Sequence, residues 1–354
     1  MYRDDLSADE QRLNPLHFRH PGLAQATHFH TGAYISMAEK NPNKSCSFKT
    51  SIGGQALMEG ILMRGPKKQA IVCRTADGLV EKVEDLKLLK DKYPFFGLPL
   101  VRGVVIFLDS MIKGMGALLY SAELLPEEMQ EDDPLDKWIE AHFSAEKAKQ
   151  VIIYTAVVLG IALSLFLFVF LPTFLVGFIK PIYNNFFLRN LTEGIVRIAL
   201  LLLYMSLTRK VPDVQRLFRY HGAEHKTIFC YEHGKELTVE NVRPESRFHP
   251  RCGTSFLLVV VIVSVLVNSV VKVTNTFGRI GCHLLLLPVV VGISYEINRW
   301  CGLHDNLLSS VLSAPGKWLQ RITTDEPDDS MIECAIRAIE LVIPEEKGSD
   351  EWGK

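Results

Sequence analysis

From Val151 to Ile179 the chain runs 29 residues without a charged side chain. As an α-helix that run is about 43 Å long, more than the roughly 30 Å hydrocarbon core of a bilayer. Three further apolar runs follow: Leu191–Thr208, carrying Glu193 and Arg197 near its start; Thr254–Val271; and Cys282–Ile297, with Pro288 inside. Hydrophobic residues make up 48% of the chain, and they concentrate after residue 150. The pattern therefore predicts a predominantly α-helical integral membrane protein with about four transmembrane helices, and the lipid bilayer as its first partner. Val101 to Ala122 is also helical in period but contains Arg102, Asp109 and Lys113. Each charge costs a few kcal/mol at mid-bilayer, so this segment is expected on the membrane surface or against the bundle.

Basic residues set the expected orientation. The 209–253 loop holds Arg209, Lys210, Arg216, Arg219, Lys226, Lys235, Arg243, Arg247 and Arg251, whereas the opposite loops hold Lys180 and Arg189 in one and Lys272 and Arg279 in the other. The basic loop and both termini are thus placed on the cytoplasmic side of a bacterial inner (plasma) membrane. Seven cysteines, irregularly spaced and without C-x-x-C, fit a reducing compartment better than a disulfide framework. The charged opening Met1-Tyr2-Arg3-Asp4-Asp5 has no apolar run after it, so no export signal is expected. A formal net charge of -1 offers no field for nucleic acid.

Four regions follow. Residues 1–47 form a polar, mobile leader. Residues 48–147 form a cytoplasmic region with a β-hairpin around Ala76-Asp77-Gly78, an amphipathic helix, and an acidic linker from Glu127 to Asp136. The glycines of Ser51-Ile52-Gly53-Gly54 and Gly60 match no phosphate loop and read as tight turns. Residues 148–300 form the membrane domain, with the 209–253 loop inside it. Residues 301–354 form an amphipathic and helical cytoplasmic tail.

The chemistry concentrates in His221-Gly222-Ala223-Glu224-His225, an H-x-x-E-H. Pro212 and Asp213 start a helix there and Gly234 stops it. Histidines at i and i+4 share a helix face, from which they can hold a divalent metal, most simply Zn, with Glu224 beside it as general base. Gly222 costs about 1 kcal/mol in a helix relative to alanine, so something is expected to approach closely there. A third ligand is sought in His249, held on an extended turn by Pro250, or in Glu296, a carboxylate near the end of an apolar run. Cys252 is the alternative ligand, and as a fourth together with His249 it closes the site into a structural one. Arg219, Arg251 and Arg299 are candidates for holding an anionic substrate group or an oxyanion.

Five segments carry a family resemblance: SIGGQALMEGILMRGPKK (51–68), LVRGVVIFLDSMIKGMGALLYSAE (100–123), RYHGAEHKTIFCYEHGKELTVENVRPESRFHPRCGTSFLL (219–258), LLLLPVVVGISYEINR (284–299) and PGKWLQRITTDEPDDSMIECAI (315–336). They resemble the YqhQ-like family of bacterial and plastid membrane proteins of unknown function. The resemblance covers nearly everything after residue 50 and implies a membrane location and a proposed metal dependence, without a substrate. H-x-x-E-H also resembles the inverzincin peptidase motif, which implies Glu224 as base and a downstream glutamate, here Glu296, as third ligand. The large soluble domains of those peptidases have no counterpart here.

Three function classes remain open on the sequence. The first is a cytoplasm-facing metal-dependent hydrolase acting on a membrane-associated substrate. The second is a scaffold or adaptor with a structural metal, and the third is a haem or redox site using the same histidines.

Overall fold

The computed structural model describes residues 48–87, 93–125, 145–179, 185–346 and 348–352. The expected leader 1–47 and the acidic linker lie outside the described residues.

Four antiparallel strands, β1 (Gly53–Leu57), β2 (Gly60–Arg64), β3 (Lys68–Thr75) and β4 (Gly78–Asp85), form a meander in sequence order. The expected hairpin is β3–β4, closing at Thr75↔Gly78. It is half of the sheet; β1 and β2 were hidden because Ile61, Leu62 and Met63 are all buried and show no polar alternation. Such continuous apolar runs mark a strand covered on both faces.

Both covers are visible. Ile52, Ala56, Ile61, Met63, Ala70 and Val72 pack against two helices, α5 (Pro212–Glu232) and α10 (Asp329–Glu340). Leu57, Leu62, Ile71 and Cys73 face α1 (Val101–Glu123) through Ala117 and Leu118. The predicted tail is therefore a layer of this core, since Met331, Ile332, Cys334, Ala335, Ala338 and Ile339 of α10 are all buried. The C-terminal segment also returns to the strand entry: Ser51 N–H donates to the Asp350 carbonyl at 2.5 Å and Trp352 N–H to that of Lys49 at 2.7 Å. Helical period alone could not show that α10 meets a strand far upstream, Cys334 donating to the Val72 carbonyl 262 residues away.

The remaining helices are α2 (Ala145–Leu165), continued through a π turn at Phe166–Phe170 into α3 (Leu171–Gly177), α4 (Phe186–Thr208), the one-turn α6 (Val239–Val242), α7 (Gly253–Asn268), α8 (Thr276–Leu303) and α9 (Leu307–Thr323). Among the described residues, four helical stretches are long and apolar enough to cross a membrane: Val101–Glu123, Val151–Gly177, Phe186–Thr208 and Thr276–Leu303. The expected set differs at two places. Val101–Glu123 qualifies by length and composition, and Gly253–Asn268, with 16 residues, is shorter.

Packing places both. Asn190, near the start of α4, donates to the carbonyl of Asn268 at the end of α7 at 2.9 Å, while Ser255 at the other end of α7 meets Gln320 of α9 at 3.0 Å. Thus α7 starts beside α9 and ends beside the start of α4. Helix α1 instead meets α8 at Gly103–Tyr295, where a Cβ on the glycine would lie 2.6 Å from the tyrosine Cβ. It then runs onto the sheet, where Arg64 pairs with Asp109 at 2.6 Å.

Candidate metal centre

Helix α5 forms as its sequence dictates, with Pro212 in its first turn, Asp213 just inside it, and Gly234 at φ 66° ending it. His221 and His225 lie one turn apart with ring centroids 4.4 Å apart. Helix α7 begins opposite them. Cys252 is its N-cap residue, the sulfur accepting from Thr254 N–H at 3.4 Å. Ligand atoms of His221, His225 and Cys252 all lie within 4.8 Å of one another, and the three residues are buried or nearly so.

Each histidine is oriented by a backbone carbonyl. His221 Nδ1 lies 2.8 Å from the Thr323 carbonyl, and His225 Nδ1 lies 2.6 Å from that of Arg247. A carbonyl only accepts, so the proton sits on Nδ1 and each Nε2 is turned inward as a lone pair. His221 Nε2 is 3.2 Å from Cys252 Sγ, a separation suited to two ligands of one zinc. His225 Nε2 is buried and has no hydrogen-bond partner among the described residues. Those are the features a metal ligand set requires, so the residues fit the ion.

Charge is pre-set in the same sense. Burial pushes the Cys252 thiol up, but His221 and His225 outweigh it and hold the sulfur well below the usual thiol range. Burial lowers His221, yet the Cys252 sulfur outweighs that and lifts it to about 9. The surroundings thus favour the thiolate, which is the form that binds metal. Glu224 is buried with Oε2 unpartnered among the described residues. Burial raises its carboxyl, while the two histidines and the Gly54 backbone N–H draw it back only in part.

Gly54 of β1 and Gly60 of β2 serve approach, not the tight turns expected of them, while Gly53 has nothing within 4 Å of a Cβ. A Cβ at Gly54 would lie 3.1 Å from the Glu224 carboxyl carbon, and one at Gly60 2.6 Å from the Val72 carbonyl oxygen. The positive φ of the β1–β2 turn falls on Glu59 (48°), whose carboxylate is held by Arg216, Nη2 to Oε2 at 2.6 Å.

The other predicted residues lie outside the group. His249 is its neighbour, with its ring centroid 5.7 Å from that of His225, but its Nδ1 accepts from Arg251 N–H at 3.4 Å and its Nε2 faces Glu232 Oε2 at 3.4 Å. Its backbone is clamped by Gln320, which accepts from His249 N–H at 2.8 Å and donates to its carbonyl at 2.7 Å. Glu296 pairs with Arg102 through both carboxylate oxygens, Nε to Oε1 at 2.7 Å, and is not in the His–His–Cys group. Its expected role as third ligand does not fit that placement: the charge near the end of the apolar run is met by an arginine from α1. Arg251 is committed to Glu232, and Arg219 is exposed. Arg299 lines a cavity of about 460 Å³ with Glu296, Trp300, Leu303, Leu308 and Leu312.

The third member of the group is therefore Cys252, expected as the alternative ligand. Its signal was its position three residues after His249, where a helix N-terminus points the sulfur back at the H-x-x-E-H face. The Thr323 and Arg247 carbonyls carried no sequence signal, because any residue supplies a carbonyl.

Comparison with known proteins now bears on this arrangement. The chain matches, over residues 98–345, the family described as "Protein of unknown function (DUF1385)". It is also 32% identical over 304 residues to the Bacillus subtilis (strain 168) "Uncharacterized protein YqhQ", covering 84% of this chain and 94% of that one. The chain belongs to this family. The resemblance read from the five segments holds, and the metal group and all of α5 fall within the matched span. No solved structure matches the chain.

Proposed function

We propose that the protein is a membrane-integral, zinc-dependent hydrolase whose centre faces the cytoplasm. The observation that carries this reading is the convergence of His221, His225 and Cys252 beside an unpartnered Glu224. Three protein ligands leave a fourth position open, the arrangement of catalytic rather than structural zinc. His249, which could have closed the set, is tied to Glu232. When bound, the ion supplies a Lewis acid and brings a water's pKa toward 7.

The chain's own groups do the rest. Thr323 and Arg247 hold the imidazoles in register, and the Gly54 N–H orients Glu224. Glu224, its carboxyl raised by burial, takes a proton from the nucleophile and returns it to the leaving group. The bundle of α2–α3, α4, α7 and α8 crosses the bilayer, and α1, with Ile106, Leu108, Met111 and Ile112 exposed, lies along its surface. The centre then sits where α7 enters the membrane, so a membrane-associated ester or amide is the substrate class.

Glu224→Gln is expected to keep the metal and to lower hydrolysis by roughly 10²–10⁴-fold. The assay is turnover of a panel of lipid esters and amides by zinc-loaded protein in detergent. A variant that hydrolyses as fast as wild type removes Glu224 from the mechanism. A wild type that holds zinc but turns over nothing on the panel favours the scaffold reading.

A further inference from the structure

Helix α9 presents a surface that the proposed chemistry does not use. It follows the end of α8, where Gly302 borders Arg251, the neighbour of Cys252. Midway, Gly316 rests on the first turn of α7, where a Cβ would lie 2.7 Å from the Ser255 Cα. Near its far end, the Ile322 carbonyl accepts from Arg209, at the end of α4, at 2.7 Å. These three helix ends lie on the metal-centre side of the bundle, so α9 runs across them.

The face of α9 turned to the protein holds Ser309, Gly316, Leu319, Gln320 and Thr323, all buried. The opposite face is apolar too. Leu307, Val311, Ala314 and Trp318 follow the i, i+4, i+7, i+11 spacing of one helical stripe, and all are exposed, Leu307 at 81% and Val311 at 58%. A helix on the surface of a soluble domain carries polar residues there.

The two flanks differ in charge. One carries Leu308 and Leu312, which with Trp300 and Leu303 of α8 line the cavity of about 460 Å³. The carboxylate in that lining, Glu296, is met by Arg102. Lys317 lies two and a half turns on from Leu308, on the other flank, and Arg321 lies one turn beyond it. Lys210 is the third cation there, because its neighbour Arg209 reaches the Arg321 carbonyl at 3.0 Å. Arg209 itself is committed to Asp325 at 2.5 Å. Lys210, Lys317 and Arg321 make no ion pair among the described residues, and α9 contains no acidic residue.

We infer that α9 lies in the plane of the bilayer surface and binds an anionic phospholipid. The acyl chains lie on the stripe from Leu307 to Trp318 and in the α8–α9 cavity, and the headgroup lies on Lys210, Lys317 and Arg321. An apolar stripe beside a basic flank is the pattern of a helix in the interfacial layer, and Trp318 stands at their border, where tryptophan is enriched. A net negative headgroup answers the three cations; a zwitterionic one does not. The inference rests on the bundle spanning a bilayer and does not rest on zinc.

Full-length protein in neutral detergent is titrated with dioleoylphosphatidylglycerol and, separately, with dioleoylphosphatidylcholine, and bound lipid is counted by native mass spectrometry. Wild type is expected to bind the phosphatidylglycerol about tenfold or more tightly than the phosphatidylcholine, a factor within reach of a few basic residues at a lipid surface. Lys317→Gln combined with Arg321→Gln should remove most of that preference. Lys67→Gln combined with Lys68→Gln deletes the same charge beside the sheet and should retain it. Leu307→Gln combined with Val311→Gln should weaken both lipids. Equal binding of the two lipids, or a preference unchanged in the Lys317 and Arg321 variant, overturns the inference. So does a two-chain species that the Leu307 and Val311 variant splits, since a second copy would then cover the stripe. A protein that stays in solution without detergent overturns the spanning bundle and this inference with it, whereas absence of zinc leaves it standing.

Discussion

Gly222→Ala is expected to destabilise the protein by about 2–4 kcal/mol, against the usual sign for glycine-to-alanine in a helix. Helix propensity alone would favour alanine by about 1 kcal/mol. Here a Cβ would lie 2.0 Å from the Asp325 carbonyl oxygen, and a backbone atom cannot rotate away. The 325–327 segment must retreat, which breaks the 2.9 Å bond from Asp325 N–H to the Phe218 carbonyl and loosens Arg209 from Asp325. Overpacking of this kind costs roughly 1–3 kcal/mol before such losses. The strain also reaches Thr323, whose carbonyl orients His221, so zinc affinity should fall with stability. Gly116→Ala is the control: nothing lies within 4 Å of a Cβ there, and it should be neutral or stabilising by up to about 1 kcal/mol. Thermal unfolding in detergent, followed by tryptophan fluorescence, compares the two. Equal effects would remove the close approach as the reason for Gly222.

The second large effect is expected at Glu232, which ends α5 fully buried. It accepts from Thr50 N–H at 2.8 Å, pairs with Arg251 and faces His249. Glu232→Ala leaves the Arg251 guanidinium buried and unpaired, at a cost of about 3–5 kcal/mol. It also frees the His249 turn that leads into Cys252, so metal retention should fall. The same group sets an acid limit. Burial raises Glu232, but the His249 ring and the Arg251 charge outweigh it and hold the carboxyl below its usual value. Its contribution is therefore complete above about pH 4.5 and is lost as pH falls below that. His249 acts earlier. Burial drives it down to about 4, so between about pH 6.5 and 4 the unfolded chain binds a proton that the folded one refuses, and stability declines with acid across that window. Tm measured from pH 7.5 to 4.5 should fall, with a shallower slope in His249→Gln. An equal slope in the variant would mean that other groups set the acid limit.

Legibility followed the range of the interactions. Local signals read correctly: Pro212, Asp213 and Gly234 bounded α5, Asp77-Gly78 marked the β3–β4 turn, and Gly222 announced a close neighbour. The acidic stretch after Thr324 turns out to neutralise the basic loop, with Glu326 on Lys226 at 2.8 Å and on Arg247 at 3.2 Å, and Asp329 on Arg243 at 2.7 Å. What the sequence hid was non-local: β1 and β2 covered on both faces, α10 closing a core begun near residue 52, and the placing of Cys252, not His249, in the group with His221 and His225. That placing depends on which way an extended turn faces, and Gln320, 71 residues away from His249, holds the turn through two hydrogen bonds to the backbone of that residue.

The central claim is tested most directly by counting zinc per chain in protein purified in one detergent. The count is made by elemental analysis on wild type and on His221→Ala, His225→Ala, Cys252→Ala, His249→Gln and Glu296→Ala. The account predicts about one equivalent in wild type, loss in the first three variants, and retention in Glu296→Ala and His249→Gln. A wild type that takes up no zinc when it is added back, or a Cys252→Ala that keeps it while Glu296→Ala loses it, would contradict the account.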